Sequence, residues 1–129
     1  MKREGITVLL VDDEVAFTRT LAQRLMMRDL RVIIAYDGEQ ALSKIKQEEP
    51  DVIVLDLNMP GMHGMDVLRE TKKICPDTQV IILTGHGTDK DEEEVIRLGG
   101  FGFLKKPIDI ETLEQKIKAA FKEKTWSTI

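Results

Sequence analysis

Five short runs of apolar, mostly β-branched residues recur along this chain, and they limit the folds that are open to it. In the clearest run, residues 52–55, four apolar residues follow one another without a polar residue between them. Strands that are buried on both faces of a parallel sheet have this continuous pattern. The sequence therefore predicts five parallel strands, within residues 6–11, 31–36, 52–55, 79–84 and 101–105.

The stretches between these runs have apolar residues at helical spacing. The last stretch is the clearest, because Ile110, Leu113 and Ile117 form one apolar stripe opposed by Lys and Glu. Strand and helix alternate five times, which predicts right-handed βαβ crossovers. We therefore expect an α/β fold in which a doubly wound, five-stranded parallel sheet carries five helices on its two faces.

The length of the chain indicates one domain. Its 129 residues are 42% hydrophobic and 33% charged, which is enough apolar material for one core and enough charge for solubility. We place the domain at residues 1–123. Residues 124–129 are predicted to be a tail or the start of a linker.

The net charge and the cysteine content of the chain bear on its binding partners and on its cellular compartment. The chain has 19 Lys and Arg against 23 Asp and Glu, a net charge of −4, whereas general nucleic-acid or anionic-membrane binding needs a basic face. The single cysteine, Cys75, excludes an internal disulfide and a cysteine-based zinc site. We expect a cytoplasmic protein that contacts neither nucleic acid nor a membrane.

Polar side chains stand at the carboxyl ends of four of the predicted strands, either as the last strand residue or directly after it. In open α/β sheets, ligands bind beyond the carboxyl ends of the strands. Each of these residues alone has an ordinary structural explanation, such as helix capping by Asp12 or Asp13. Together they place three carboxylates, one hydroxyl and one ammonium at one edge, from Asp12, Asp13, Asp56, Thr84 and Lys106.

Carboxylates crowded in this way need a nearby cation. Two carboxylates about 5 Å apart repel by roughly 3 kcal/mol at an effective dielectric constant near 20. Oxygen ligands favour Mg²⁺ or Ca²⁺, and an open site with few carboxylates is typical of Mg²⁺ shared with a phosphate. Mg²⁺, a lysine and a hydroxyl are the equipment of phosphoryl transfer, in which Asp56 would be the nucleophile.

Four sequence blocks carry a resemblance to a known family. The blocks are LVDDE at residues 10–14, VLDLNMPG at 54–61, LTG at 83–85 and FLKKP at 103–107. In this order and spacing they resemble the receiver domain of two-component response regulators. The resemblance implies the flavodoxin-like strand order 2-1-3-4-5 and phosphorylation of Asp56 by a histidine kinase or a phosphotransfer protein. It also implies Mg²⁺ bound by Asp13, Asp56 and the backbone carbonyl of Asn58, with Asp12 assisting.

The same resemblance implies that the protein is a conformational switch and not a classical enzyme. Lys106 would bind the phosphoryl oxygens, the Thr84 hydroxyl would move toward the phosphoryl group, and Phe103 would rotate into the space that Thr84 leaves. The output surface would be formed by the fourth helix, fifth strand and fifth helix, where a homodimer partner or an output domain would bind.

Three other functions share parts of this pattern. A flavodoxin-like nucleotide binder would need a phosphate-binding first loop, which Asp12, Asp13 and Glu14 would repel. A phosphatase of the haloacid dehalogenase type needs a second Asp two residues after its nucleophile, where this chain has Asn58. A binding scaffold that is never phosphorylated would be expected to lack a site residue, and none is missing.

Overall fold

The computed structural model describes residues 5–127 and contains the predicted alternation of strands and helices. The elements are β1 (Ile6–Val11), α1 (Val15–Met26), β2 (Leu30–Ala35), α2 (Gly38–Glu48), β3 (Val52–Leu55), α3 (Gly64–Ile74), β4 (Gln79–Thr84), α4 (Asp89–Arg97), β5 (Gly102–Lys105) and α5 (Ile110–Ser127).

The five strands form one parallel sheet in the order β2-β1-β3-β4-β5. This order confirms the prediction. Three predicted strand bounds were wrong by one residue. β2 runs from Leu30, which pairs with Ile6, to Ala35, and β5 begins at Gly102.

The sheet separates two hydrophobic cores, as expected for helices on both faces. One core contains Leu9 of β1 and packs against α2, α3 and α4, through residues such as Ile45 and Leu68. The other contains Leu10 and packs against α1 and α5, through residues such as Leu25. Neighbouring residues of one strand thus enter opposite cores, which explains why the strand sequences are apolar throughout.

The N-caps of the helices show whether Asp12 or Asp13 caps α1. Asp37 is the N-cap of α2, and its side chain accepts a hydrogen bond from the Gln40 N–H; Thr88 and Asp91 form a capping box at α4. α1 has Glu14 at its N-cap with no side-chain cap bond. Neither Asp12 nor Asp13 therefore occupies the N-cap of α1, although Asp12 Oδ1 accepts a hydrogen bond from the N–H of the N-cap residue, Glu14.

The C-terminal helix extends beyond the predicted end of the domain at residue 123. α5 runs to Ser127, so the boundary placed after residue 123 falls inside a helix. Lys124 forms an ion pair of 2.7 Å with the buried carboxylate of Asp51, which ties this end of the helix to the start of β3. Residues 128 and 129 lie outside the described residues, and a linker beginning near 124 stays a prediction.

Candidate functional site

The strand ends bring the predicted site residues to one edge of the sheet. Backbone hydrogen bonds continue the ladder one step past the strands, from Asp12 N–H to Ala35, from Asp56 N–H to Val11 and from Lys106 N–H to Thr84. The backbone of these three candidate residues is thus fixed by a neighbouring strand. The sheet itself positions the site, and the loops that follow complete it.

Asp12, Asp13 and Asp56 form a carboxylate cluster in which one oxygen of each lies within 4.8 Å of the others. Asp12 and Asp56 are only 5% and 6% exposed, and Asp13 is partly exposed. The Asn58 N–H lies 3.4 Å from Asp56 Oδ1 and orients that carboxylate. Oxygen donors open to solvent on one side suit Mg²⁺, so the residues present fit the implied metal.

Lys106 is the cation that lies closest to this cluster. Its ammonium donates to Asp12 Oδ2 at 2.7 Å and to Glu14 Oε1 at 2.9 Å, and it lies 3.8 Å from Asp56 Oδ2. The ring of Phe17 lies below it, with 4.3 Å between Nζ and the ring centroid. The ammonium is thus bonded to Asp12 and Glu14, near Asp56 and surrounded by negative charge.

Burial and charge oppose each other in this pair. Burial raises the pKa of the Asp12 carboxyl, and the bonds from Lys106 and the Glu14 N–H offset only part of that increase. Burial lowers the pKa of Lys106, but its hydrogen bonds to Asp12 and Glu14, together with the charges of Asp12 and Asp56, outweigh burial and leave that pKa raised. Lys106 is therefore charged at neutral pH.

Replacing Asp13 by Asn is expected to stabilise the protein when divalent cations are absent. Two carboxylates at this separation repel by about 3 kcal/mol; because Asp13 is partly exposed, we expect its removal to raise the free energy of unfolding by about 1 kcal/mol. Excess Mg²⁺ should stabilise the parent more than the variant. Urea denaturation at neutral pH, with EDTA or with Mg²⁺, measures both effects.

The control for this prediction is Asp77→Asn, which removes an exposed acid before β4, at the opposite edge of the sheet. It should change stability little and leave the Mg²⁺ effect intact. Two results would contradict a metal site here: an Asp13→Asn variant that is less stable than the parent in EDTA, or one that Mg²⁺ stabilises as much as it stabilises the parent.

Thr84 and Phe103 lie side by side next to the cluster. Thr84 is fully buried, and its Oγ1 lies 3.5 Å from the N–H of His86. Phe103 is partly buried and packs against the core that faces α2, α3 and α4. A Cβ added to Gly87 would lie 2.8 Å from Phe103 Cε1 and 2.9 Å from Thr84 Cγ2. The ring is thus seated directly against a glycine.

Gly87→Ala is expected to displace the Phe103 ring from its position against residue 87. Because the ring can rotate away, we expect a loss of only about 1 kcal/mol in the free energy of unfolding, the low end for overpacking. NMR signals of the ring and urea denaturation would measure the two effects. Gly85→Ala is the matched control, since its Cβ would meet no atom within 4 Å; equal ring shifts in both variants would contradict the steric explanation.

Comparison with known proteins assigns the family. The model for the response regulator receiver domain matches residues 8–118, which include every residue of the cluster together with Thr84, Phe103 and Lys106. The chain belongs to the response regulator receiver domain family. It is thus a receiver domain of two-component response regulators, as the four sequence blocks predicted.

Two relatives of this receiver are transcriptional regulatory proteins of Escherichia coli K12. GlrR is 34% identical over 99% of this chain, and CpxR is 36% identical over 93% of it. The chain spans 29% of GlrR and 51% of CpxR. A CheY-like receiver domain protein from Methanospirillum hungatei JF-1 has a TM-score of 0.92 at 26% identity, with 96% of this chain and 99% of that chain covered.

The receiver's site includes residues that sequence reasoning missed. Glu14 and Phe17 contact Lys106 from α1 and its N-cap, and Gly64 lies against the Asp56 backbone. None of the three follows a strand directly, so the rule that found the other site residues could not find them. No helix within residues 5–127 combines the length and apolar character needed to cross a membrane.

Proposed function

We propose that this receiver accepts a phosphoryl group on Asp56 from the phosphohistidine of a histidine kinase or a phosphotransfer protein, and then switches conformation. The supporting observation is the buried Asp56 carboxylate, placed beside two further carboxylates and 3.8 Å from Lys106 Nζ. A carboxylate oxygen of Asp56 attacks phosphorus, the P–N bond of the donor breaks, and the imidazole leaves as a neutral ring once it is protonated. The product is an aspartyl phosphate.

The residues around Asp56 have separate roles in this proposal. Asp12, Asp13, Asp56 and the Asn58 carbonyl would hold Mg²⁺, which supplies charge neutralisation for the transferred phosphoryl group. Lys106 binds a phosphoryl oxygen from the other side. The Thr84 hydroxyl follows the phosphoryl group, and Phe103 follows Thr84.

The alternative enzyme, a phosphatase of the haloacid dehalogenase type, is not favoured. Residue 58 is Asn, and its N–H faces Asp56 Oδ1, so the acid that such a phosphatase needs is absent from that position. The family match also places the chain among signalling switches. We propose that it acts only on its own phosphoryl group, by assisting its formation and loss.

Output would pass through the surface of α4, β5 and α5. Ile96 of α4 is an apolar side chain that is 60% exposed, and the longer relatives are named as transcriptional regulatory proteins. We propose that this surface binds a homodimer partner or an output domain in the cytoplasm, and that the receiver itself touches neither nucleic acid nor a membrane.

The test of phosphorylation is a mass measurement on the intact chain. Incubation with a small phosphodonor such as phosphoramidate and Mg²⁺ should add the mass of one phosphoryl group. Excess EDTA should prevent this gain. An unchanged mass under conditions that modify a known receiver would contradict the proposal.

Thr84→Ala is expected to leave phosphorylation possible but weaken the switch. Moving a population from 1% to 99% active takes about 5.5 kcal/mol, and a hydrogen bond to a charged group contributes about 1.5–3 kcal/mol. Losing it should lower the active fraction of the phosphorylated chain from about 99% to between about 40 and 90%. Amide chemical shifts measure that fraction. Thr84→Ser, which keeps the hydroxyl, should respond like the parent, and an equal response from Thr84→Ala would contradict the role of Thr84.

A further inference from the structure

The ammonium of Lys106 is bonded to two carboxylates, and Asp56 is not one of them. It donates to Asp12 Oδ2 at 2.7 Å and to Glu14 Oε1 at 2.9 Å, whereas Asp56 Oδ2 at 3.8 Å is beyond hydrogen-bond distance. The lysine is therefore committed to the loop between β1 and α1. Two of the three N–H donors of this ammonium are thus used by Asp12 and Glu14, so Lys106 can give more than one hydrogen bond to a phosphoryl group on Asp56 only if one of these carboxylates releases it.

Glu14 is free to hold Lys106 because it does not cap its own helix. It stands at the N-cap of α1, where Ser, Thr, Asp or Asn usually bond to the backbone, yet its side chain makes no cap bond. Its backbone N–H instead donates to Asp12 Oδ1 at 2.9 Å. The side chain and the backbone of Glu14 thus have separate partners, so a side-chain substitution removes the contact with Lys106 and keeps the bond to Asp12.

Glu14 also differs from Asp12 in its relation to the carboxylate cluster. The cluster that could hold a cation comprises Asp12, Asp13 and Asp56. A cation bound there would draw on the Asp12 carboxylate and weaken its bond to Lys106. Glu14 lies outside the cluster, so its hydrogen bond with the Lys106 ammonium would persist when a cation is bound.

We infer that Glu14 is a positioning residue that competes with the phosphoryl group for Lys106 and so slows phosphorylation of Asp56. The inference rests on the proposed function. The Glu14 side chain is 62% exposed, which limits the strength of the pair. Removing the contact should accelerate phosphorylation by about 1.5- to 5-fold, the range for exposed ion pairs.

The first experiment compares initial rates of phosphoryl mass gain, with phosphoramidate and Mg²⁺, in the parent and two variants. Glu14→Gln removes the charge, whereas Glu14→Asp keeps the charge on a side chain one methylene shorter that no longer reaches Lys106. Both should be faster than the parent. The charge-matched control is Glu123→Gln, on the exposed surface of α5 next to Lys124, which bonds to the opposite edge of the sheet; it should match the parent.

A double-mutant cycle shows whether Glu14 acts through Lys106. In a Lys106→Met background, Glu14→Gln should have no further effect on the rate. Equal rates for Glu14→Gln and the parent, a parental rate for Glu14→Asp, or the same acceleration in the Lys106→Met background would each overturn the inference. The last two outcomes would mean that the Glu14 charge acts without Lys106, by repelling the negatively charged phosphodonor.

A readout without phosphodonor separates this inference from the proposed function. The ammonium of Lys106 can be followed by proton–nitrogen NMR and assigned from its loss in Lys106→Met. It should exchange with water faster in Glu14→Gln than in the parent, and equal exchange would overturn the contact. A parent that gains no phosphoryl mass would refute the proposed function, while this NMR comparison would still report on Glu14.

Discussion

Asp56→Asn is expected to abolish the gain of one phosphoryl mass completely. The amide oxygen of Asn carries no full negative charge, so it cannot attack phosphorus to form an acyl phosphate. The substitution is nearly isosteric and removes one of three crowded carboxylates. We therefore expect the variant to fold and to be at least as stable as the parent in EDTA. Intact mass and urea denaturation measure the two effects.

Two results would separate a loss of the acceptor from other causes. Asp77→Asn makes the same chemical change at the opposite edge of the sheet, where the side chain is exposed, and it should gain mass at the parental rate. A phosphoryl gain that survives in Asp56→Asn would mean that another group is the acceptor.

Gly64→Ala is expected to have the largest effect on stability of the substitutions considered. Gly64 begins α3, and its N–H donates to the Leu57 carbonyl at 2.9 Å. A Cβ here would fall inside van der Waals contact with the Asp56 carbonyl oxygen and 2.7 Å from Leu57 Cα. Both neighbours are backbone atoms, which cannot rotate away as the Phe103 ring can beside Gly87.

Overpacking of this kind costs about 1–3 kcal/mol, and the helix preference of Ala over Gly returns up to about 1 kcal/mol. We expect a net loss of about 2 kcal/mol in the free energy of unfolding, measured by urea denaturation. The shift of the Asp56 backbone should also weaken Mg²⁺ binding. Gly85→Ala is again the control, and a Gly64→Ala variant as stable as that control would contradict the close approach.

The strands could be predicted because burial on both faces leaves a signal in each run. The prediction failed where side chains do not decide the boundary. Leu30 belongs to β2 because its backbone pairs with Ile6, whereas Phe101 lies outside β5 although it is apolar. The end of α5 could not be placed either, because Lys124 is ordered by a distant partner, Asp51.

The site could be predicted as far as it is built from residues at the ends of strands or directly after them. Asp12, Asp56, Thr84 and Lys106 meet because parallel strands end at one edge. Glu14 and Phe17 enter the site through contacts to Lys106 across more than 85 residues of sequence. Such contacts depend on side-chain reach and on the path of α1, which spacing along the chain does not reveal.

The most direct test of the account is to locate the phosphoryl group on the chain. Borohydride reduces an aspartyl phosphate to homoserine, so reduction after phosphorylation, followed by peptide mass spectrometry, marks the acceptor. We predict homoserine at residue 56 and at no other Asp. Homoserine at Asp12 or Asp13, or a phosphorylated chain in which residue 56 is still Asp after reduction, would contradict the account.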